Sequence, residues 1–217
     1  MKQFARVSVR FAMLAAAMLA AACTQTVRSE VSRFHTMGIT PNQQTVAIAP
    51  RGEQVGSPEF KFYADAVMQR LVGAGFTPAA NADAADVIGF IDYTVGEGQT
   101  IFTSTPVYGS LGYGFSDPFY DPFYRGRGRR GSSAYGVVGT QTQADVIYQR
   151  TFKLELNDQI TPGKLGDKVY EGKAVSNGTS ASFARVGICL IDSIFANFPG
   201  GNGRTEVVAV NGEACLR

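Results

Sequence analysis

The 217-residue sequence has one histidine, three cysteines and no tryptophan. A single imidazole, His35, excludes His-rich zinc sets and leaves only one candidate for a Ser-His-Asp arrangement. His35 stands in a strand-like stretch with no serine or cysteine motif beside it, so it reads as a structural or solvated side chain. No C-x-x-C pair occurs, which leaves thioredoxin-like redox chemistry without support. The G-x-x-x-x-G-K-[ST] and G-x-S-x-G patterns are both missing; the nearest text, "GDKVYEGKA", has the wrong spacing and falls in a predicted hairpin. Asp86 and Asp92 bracket one strand on the same side, but roughly 20 Å apart along it, too far for a glycosidase pair. Asn177-Gly178-Thr179 fits a glycosylation sequon, yet Asn-Gly is ordinary turn chemistry and is read as such. The residues therefore predict no catalytic group, no metal site and no cofactor.

A membrane-spanning run is also lacking. The apolar stretch Phe11 to Ala22, "FAMLAAAMLAAA", holds about a dozen residues, short of the roughly 20 that a spanning helix needs. Lys2, Arg6 and Arg10 precede it and small residues end it, which predicts a signal peptide over residues 1–22. Ala20-Ala21-Ala22-Cys23 resembles the lipobox of bacterial lipoproteins, with Ala20 where leucine is usual and Leu19 one place further out. The resemblance implies cleavage before Cys23, diacylglycerol on its sulfur and an acylated amine, with residues 23–29 as a lipidated tether. Thr24 and Gln25 follow in place of aspartate, which by likeness to enterobacterial sorting implies an outer-membrane anchor facing the periplasm.

Basic charge is scarce once that segment is removed. Residues 1–22 hold three basic and no acidic residues, which leaves 17 basic against 18 acidic residues, a net of about −1. Nucleic-acid binders need a face that neutralises several phosphates. The one dense cluster, Arg125, Arg127, Arg129 and Arg130, lies in "GYGFSDPFYDPFYRGRGRRG", close to Asp117 and Asp121. No nucleic-acid partner is expected. Phe119, Tyr120, Phe123 and Tyr124, with these arginines, have the chemistry of a contact surface for an envelope protein or polymer. A low-complexity loop that tolerates drift is the other reading. If Cys23 carries lipid, Cys189 and Cys215 remain, and an even remainder in an oxidising compartment predicts a disulfide worth about 3 kcal/mol. Two unpaired thiols are the alternative.

The periodicity predicts a chain of alternating elements. "VSRFHTMG" and "TVAIAP" read as strands. Ser57, Pro58 and Glu59 start a helix whose apolar stripe is Phe60, Tyr63, Val67 and Leu71, closed by Gly73 and Gly75. "ADVIGFIDYTV" is a buried strand. Residues 97–139 are rich in glycine, serine, proline and tyrosine and predict a long irregular insertion. "ADVIYQRTFKLEL" and "KVYEGKAVS" then form a hairpin. Residues 180–197 carry a second helical stripe through Phe183, Val186, Leu190, Ile191 and Ile194, and "TEVVAV" is a last strand. The sum predicts one domain over residues 30–217. Its class is α+β: a two-layer, mostly antiparallel sheet with two helices packed on one face, plus the Gly- and aromatic-rich insertion.

The order of "VSRFHT", "TVAIAP", "SPEFKFYADAVMQRLVGAGF", "ADVIGFIDYTV", "YQRTFKLELND", "KVYEGKAVSNG" and the ending "IFANFPG" resembles the bacterial lipoprotein family carrying domain of unknown function 4136. The resemblance covers nearly all of residues 30–200. The chain departs from the family in lacking tryptophan and in its Cys189/Cys215 pair. What the resemblance implies is an envelope lipoprotein with an α+β fold and no established catalytic residues. By fold analogy alone, the element order is also similar to protein-binding periplasmic domains such as those of outer-membrane activators of peptidoglycan synthases. The expectation is a non-enzymatic lipoprotein that binds an envelope partner and is held to the membrane by its lipid. A small periplasmic hydrolase with a carboxylate-based site, or a purely structural envelope component, are the rival readings.

Overall fold

The computed structural model describes residues 26–36, 44–111 and 134–215. In chain order the elements are β1 (Thr26–His35), β2 (Thr45–Ile48), α1 (Pro58–Gly73), β3 (Thr77–Pro78), β4 (Val87–Val95), β5 (Gln99–Leu111), β6 (Ala134–Thr161), β7 (Lys164–Gly178), α2 (Gly187–Phe195), β8 (Arg204–Asn211) and α3 (Gly212–Cys215). They divide into two compact units. One joins the residues up to Gly98 with those from Tyr148 onward; the other is Gln99–Ile147.

The larger unit corrects the expected fold class. A mostly antiparallel, two-layer α+β arrangement does not form. Its seven strands make one mixed sheet, in the order β3-β2-β4-β6-β7-β1-β8. Strand β2 runs parallel to both β3 and β4, and the remaining pairings are antiparallel. The physical reason is α1. A helix after β2 returns the chain to the end where β2 began, so the next strand runs in the same direction. Strand, not helix, dominates the described residues.

Local chemistry sets α1 where the sequence puts it. Ser57 Oγ accepts from the Phe60 amide at 3.3 Å, and Pro58 occupies the first turn. Phe60, Tyr63, Val67 and Leu71 are its buried face. Helix α2 is shorter than its apolar stripe. It begins at Gly187, after a turn in which Val186 and Gly187 both donate to the Phe183 carbonyl. A Cβ on Gly187 would stand 2.7 Å from the Phe183 ring and 2.8 Å from the Tyr63 ring, so glycine lets the helix start close against those aromatics.

The main core gathers both helical stripes against Val31, Ile91, Phe152, Leu154, Leu156 and Ala174. Leu190 and Ile194 have no exposed surface. Strand β4 is covered on both sides: Val87 and Ile91 join the main core, while Ile88 and Phe90 join a smaller cluster with Ala47 and Ala85. Arg33, 1% exposed, lies among the core side chains in phase with Val31. Its guanidinium donates to the carbonyls of Ser193, Ile194 and Ala196 and to Glu206 Oε2. It thereby satisfies carbonyls that the end of α2 would leave unpaired.

The smaller unit is a hairpin. Strand β5 pairs antiparallel with the first part of β6 from Gln99↔Ile147 to Leu111↔Ala134, with an irregularity between Val107 and Tyr108. The flanks of the stretch expected to be irregular, residues 99–111 and 134–139, are thus strands.

Candidate functional site

Cys189 and Cys215 are joined by a disulfide with Cα atoms 5.1 Å apart. It ties α2 to α3, the short turn that follows β8. Cys23 lies outside the described residues, as do Phe119, Tyr120, Phe123, Tyr124, Arg125, Arg127, Arg129 and Arg130. The hairpin that leads into and out of that aromatic stretch is described. Phe102, Tyr108 and Tyr135 are 72%, 58% and 76% exposed on it. The Tyr108 and Tyr135 rings stack with centroids 6.5 Å apart. Its middle is polar, with the hydroxyls of Ser104 and Thr142 3.3 Å apart across the strands. Such a hairpin buries little apolar surface of its own, and its aromatic rings face solvent.

The carboxylates that come together do so in an ion-pair network on the sheet. Glu155 receives Arg51 at 2.9 Å, Lys153 at 2.7 Å and Lys168 at 2.7 Å, and the two lysines also reach Glu171. Burial would push the Glu155 carboxyl up, but hydrogen bonds from Lys153, Lys168 and Arg51 outweigh it and hold it at about 2. Glu171 is pushed down as well, first by its bond from Lys168. Both lysines are raised, chiefly by Glu155. The Arg51 guanidinium also lies 3.6 Å over the Phe90 ring. Proton-donating carboxyls in catalysis are pushed the other way. Asp86 binds the Thr45 amide at 2.8 Å and the Thr45 hydroxyl at 2.7 Å, which lowers its pKa and fastens β4 to β2. His35 contacts the Gly200 carbonyl at 3.1 Å through Nε2, a structural tie between β1 and the turn before β8. Among the described residues no three His, Cys, Asp or Glu side chains are grouped to hold a metal ion.

A cavity of about 620 Å³ opens beside the start of β1, the end of β7 and the turn before α2. Three arginines line it, Arg28, Arg150 and Arg185, and no acidic residue does among the described residues. Arg150 is 5% exposed. Its only hydrogen bond is a long 3.5 Å contact from Nη1 to the Ser180 carbonyl, and its Nε has no partner. Burial pushes its guanidinium pKa down. Ser176 is its register partner across β6 and β7, and the buried Ser176 hydroxyl also lacks a partner. Ser29, next to the Glu30↔Val175 pair on β1, is buried and unpartnered in the same way. A Cβ on Gly178 would overlap the Arg150 guanidinium, so that glycine makes room for it.

None of these residues stood out as a site in the sequence. One signal was available: Arg150 falls in phase with Phe152, Leu154 and Leu156, and so points to the core side of its strand. That Ser29, Ser176 and Arg150 meet depends on strand register, which no single segment encodes.

No curated protein matches the chain. Among solved structures, a PDZ domain protein from Parabacteroides distasonis is similar at 13% identity and a TM-score of 0.46, covering 91% of this chain and 42% of that one. The chain thus spans less than half the length of that protein, and a likeness at this level assigns no site. The model of the family DUF4136, a domain of unknown function, matches residues 31–200. That span runs from the second half of β1 through α2 with both core stripes, and the chain belongs to the DUF4136 family.

Proposed function

We propose that the protein is a non-enzymatic lipoprotein of the cell envelope, anchored through Cys23 at the outer membrane, that binds an envelope protein or polymer through its hairpin unit. The observation that carries this reading is the exposure of Phe102, Tyr108 and Tyr135 on a hairpin with its own boundaries in the chain. Large aromatic rings at low entropic cost are favoured contact residues. In the sequence, the Phe119–Tyr124 aromatics and the arginines that follow fall between the two strands of that hairpin. The Cys189–Cys215 disulfide supports an address outside reducing compartments.

The test separates stability from binding. Residues 99–147 are replaced by a short Gly-Ser turn between Gly98 and Tyr148, and thermal unfolding and in-cell crosslinked partners are then measured. An unchanged Tm is expected, because closing the loop costs little. Loss of the crosslinked partner is expected with it. A partner retained in full would refute the hairpin as the contact surface.

A further inference from the structure

Arg150 is the departure point. A buried guanidinium is ordinarily matched by a carboxylate or by a full set of carbonyls. Arg33 in the same fold meets that rule, with three carbonyls and Glu206. Arg150 does not: among the described residues it has one long bond, an unpartnered Nε and no acidic neighbour in its cavity. The unpartnered hydroxyl of Ser176 stands beside it, and the exposed Arg28 and Arg185 also line the cavity. The donors thus come from two levels, a buried floor and an exposed rim. A carboxylate presents two coplanar oxygens and fits a single fork. A phosphate presents oxygens in tetrahedral directions and suits several guanidinium groups and hydroxyls at once.

The cavity also has an address. Thr26, Val27 and Arg28 line it, and Thr26 is three residues from Cys23. Three residues of chain reach at most about 10 Å. If the lipid is on Cys23, the mouth of the cavity is held within the headgroup region of the bilayer surface. The geometry points to a phosphate-binding site in which Arg150 and Ser176 form the floor and Arg28 and Arg185 the rim, with the headgroup of an anionic membrane lipid as its ligand. The site itself follows from the fold; the choice of a lipid source rests on the Cys23 anchor.

The experiment uses the mature chain, residues 23–217, with Cys23→Ser, so that neither an attached lipid nor the basic and apolar segment before Cys23 brings it to a membrane. Sedimentation with phosphatidylcholine vesicles, with and without phosphatidylglycerol, is measured beside thermal protection by inorganic phosphate, with acetate at matched ionic strength as control. Binding that requires phosphatidylglycerol is expected, together with phosphate protection that acetate does not reproduce. Arg150→Gln should weaken both by at least about tenfold, the scale of one lost charge-assisted pair. Should Arg150→Gln fail to fold, the exposed pair Arg28→Gln and Arg185→Gln serves instead and should reduce both without a change in Tm of the ligand-free protein. Phosphate protection lost in these variants, but without vesicle binding, would keep the phosphate site and overturn the lipid as its source. Equal protection by acetate, or protection and vesicle binding unchanged in the variants, would overturn the site. Palmitate labelling of the unmodified chain, lost in Cys23→Ser, tests the anchor separately.

Discussion

Glu155 shows how one carboxylate ties charges from two strands and a turn together. It sits on β6, opposite Glu171 on β7, with Arg51 arriving from the turn after β2. Its folded pKa, about 2, lies below the ordinary 4.5, so the stabilisation is present above pH 4.5 and is lost as pH falls toward 2. A shift of that size corresponds to an upper limit of roughly 3 kcal/mol, reduced by solvent screening at the half-exposed Arg51 and Lys168. Denaturant unfolding across that pH range should show the loss. Glu155→Gln should flatten it and lower stability at pH 7 by about 1.5–3 kcal/mol, since Arg51 loses its charged acceptor and Lys153 and Lys168 keep only Glu171. A variant that keeps the same acid dependence would show that another carboxylate is responsible.

At the scale of elements, the helical stripes were legible and the sheet was not. Phe60, Tyr63, Val67 and Leu71 recur at spacings of three and four, and all four are buried. Leu190 on the second stripe is fully buried in contact with the sheet, and Leu190→Ala should cost about 2–5 kcal/mol in unfolding free energy. A cost under about half a unit would mean that the cavity collapses without penalty. Strand direction was missed although the sequence held it: a strand, a helix and a strand in succession are the pattern of a parallel crossover. The hairpin was missed for a different reason. Glycine, proline and threonine on exposed strands leave no alternation of apolar and polar residues, so β5 and the first part of β6 carry no period-two signal. The arginine cavity was half legible. Arg150 in phase with core residues marks an inward charge, but its meeting with Ser176 and Ser29 is a property of register across β6, β7 and β1.

For the whole molecule, the proposed anchor at Cys23 would decide what the surfaces can meet. Labelled palmitate should enter the unmodified protein and be absent from Cys23→Ser; labelling that survives the change would move the attachment elsewhere. This prediction comes from the sequence alone: the basic flank, the apolar run and the small residues before Cys23 have the pattern expected of a processing signal. The end of the sheet has a consequence at the same scale. Among the described residues, strand β8 is a terminal strand of the sheet, paired with β1 and with no strand on its other side, and Val207 on it is 71% exposed. An open edge of this kind invites strand exchange with a second copy. The bond between Cys189 and Cys215 closes α2, the turn and β8 into one loop of 26 residues' separation, so β8 cannot peel away alone. Reduction removes that restraint. Reduced protein should therefore form dimers and larger species that grow with concentration on a sizing column, while the oxidised protein elutes at a constant position, which makes thiol state the control over swapping.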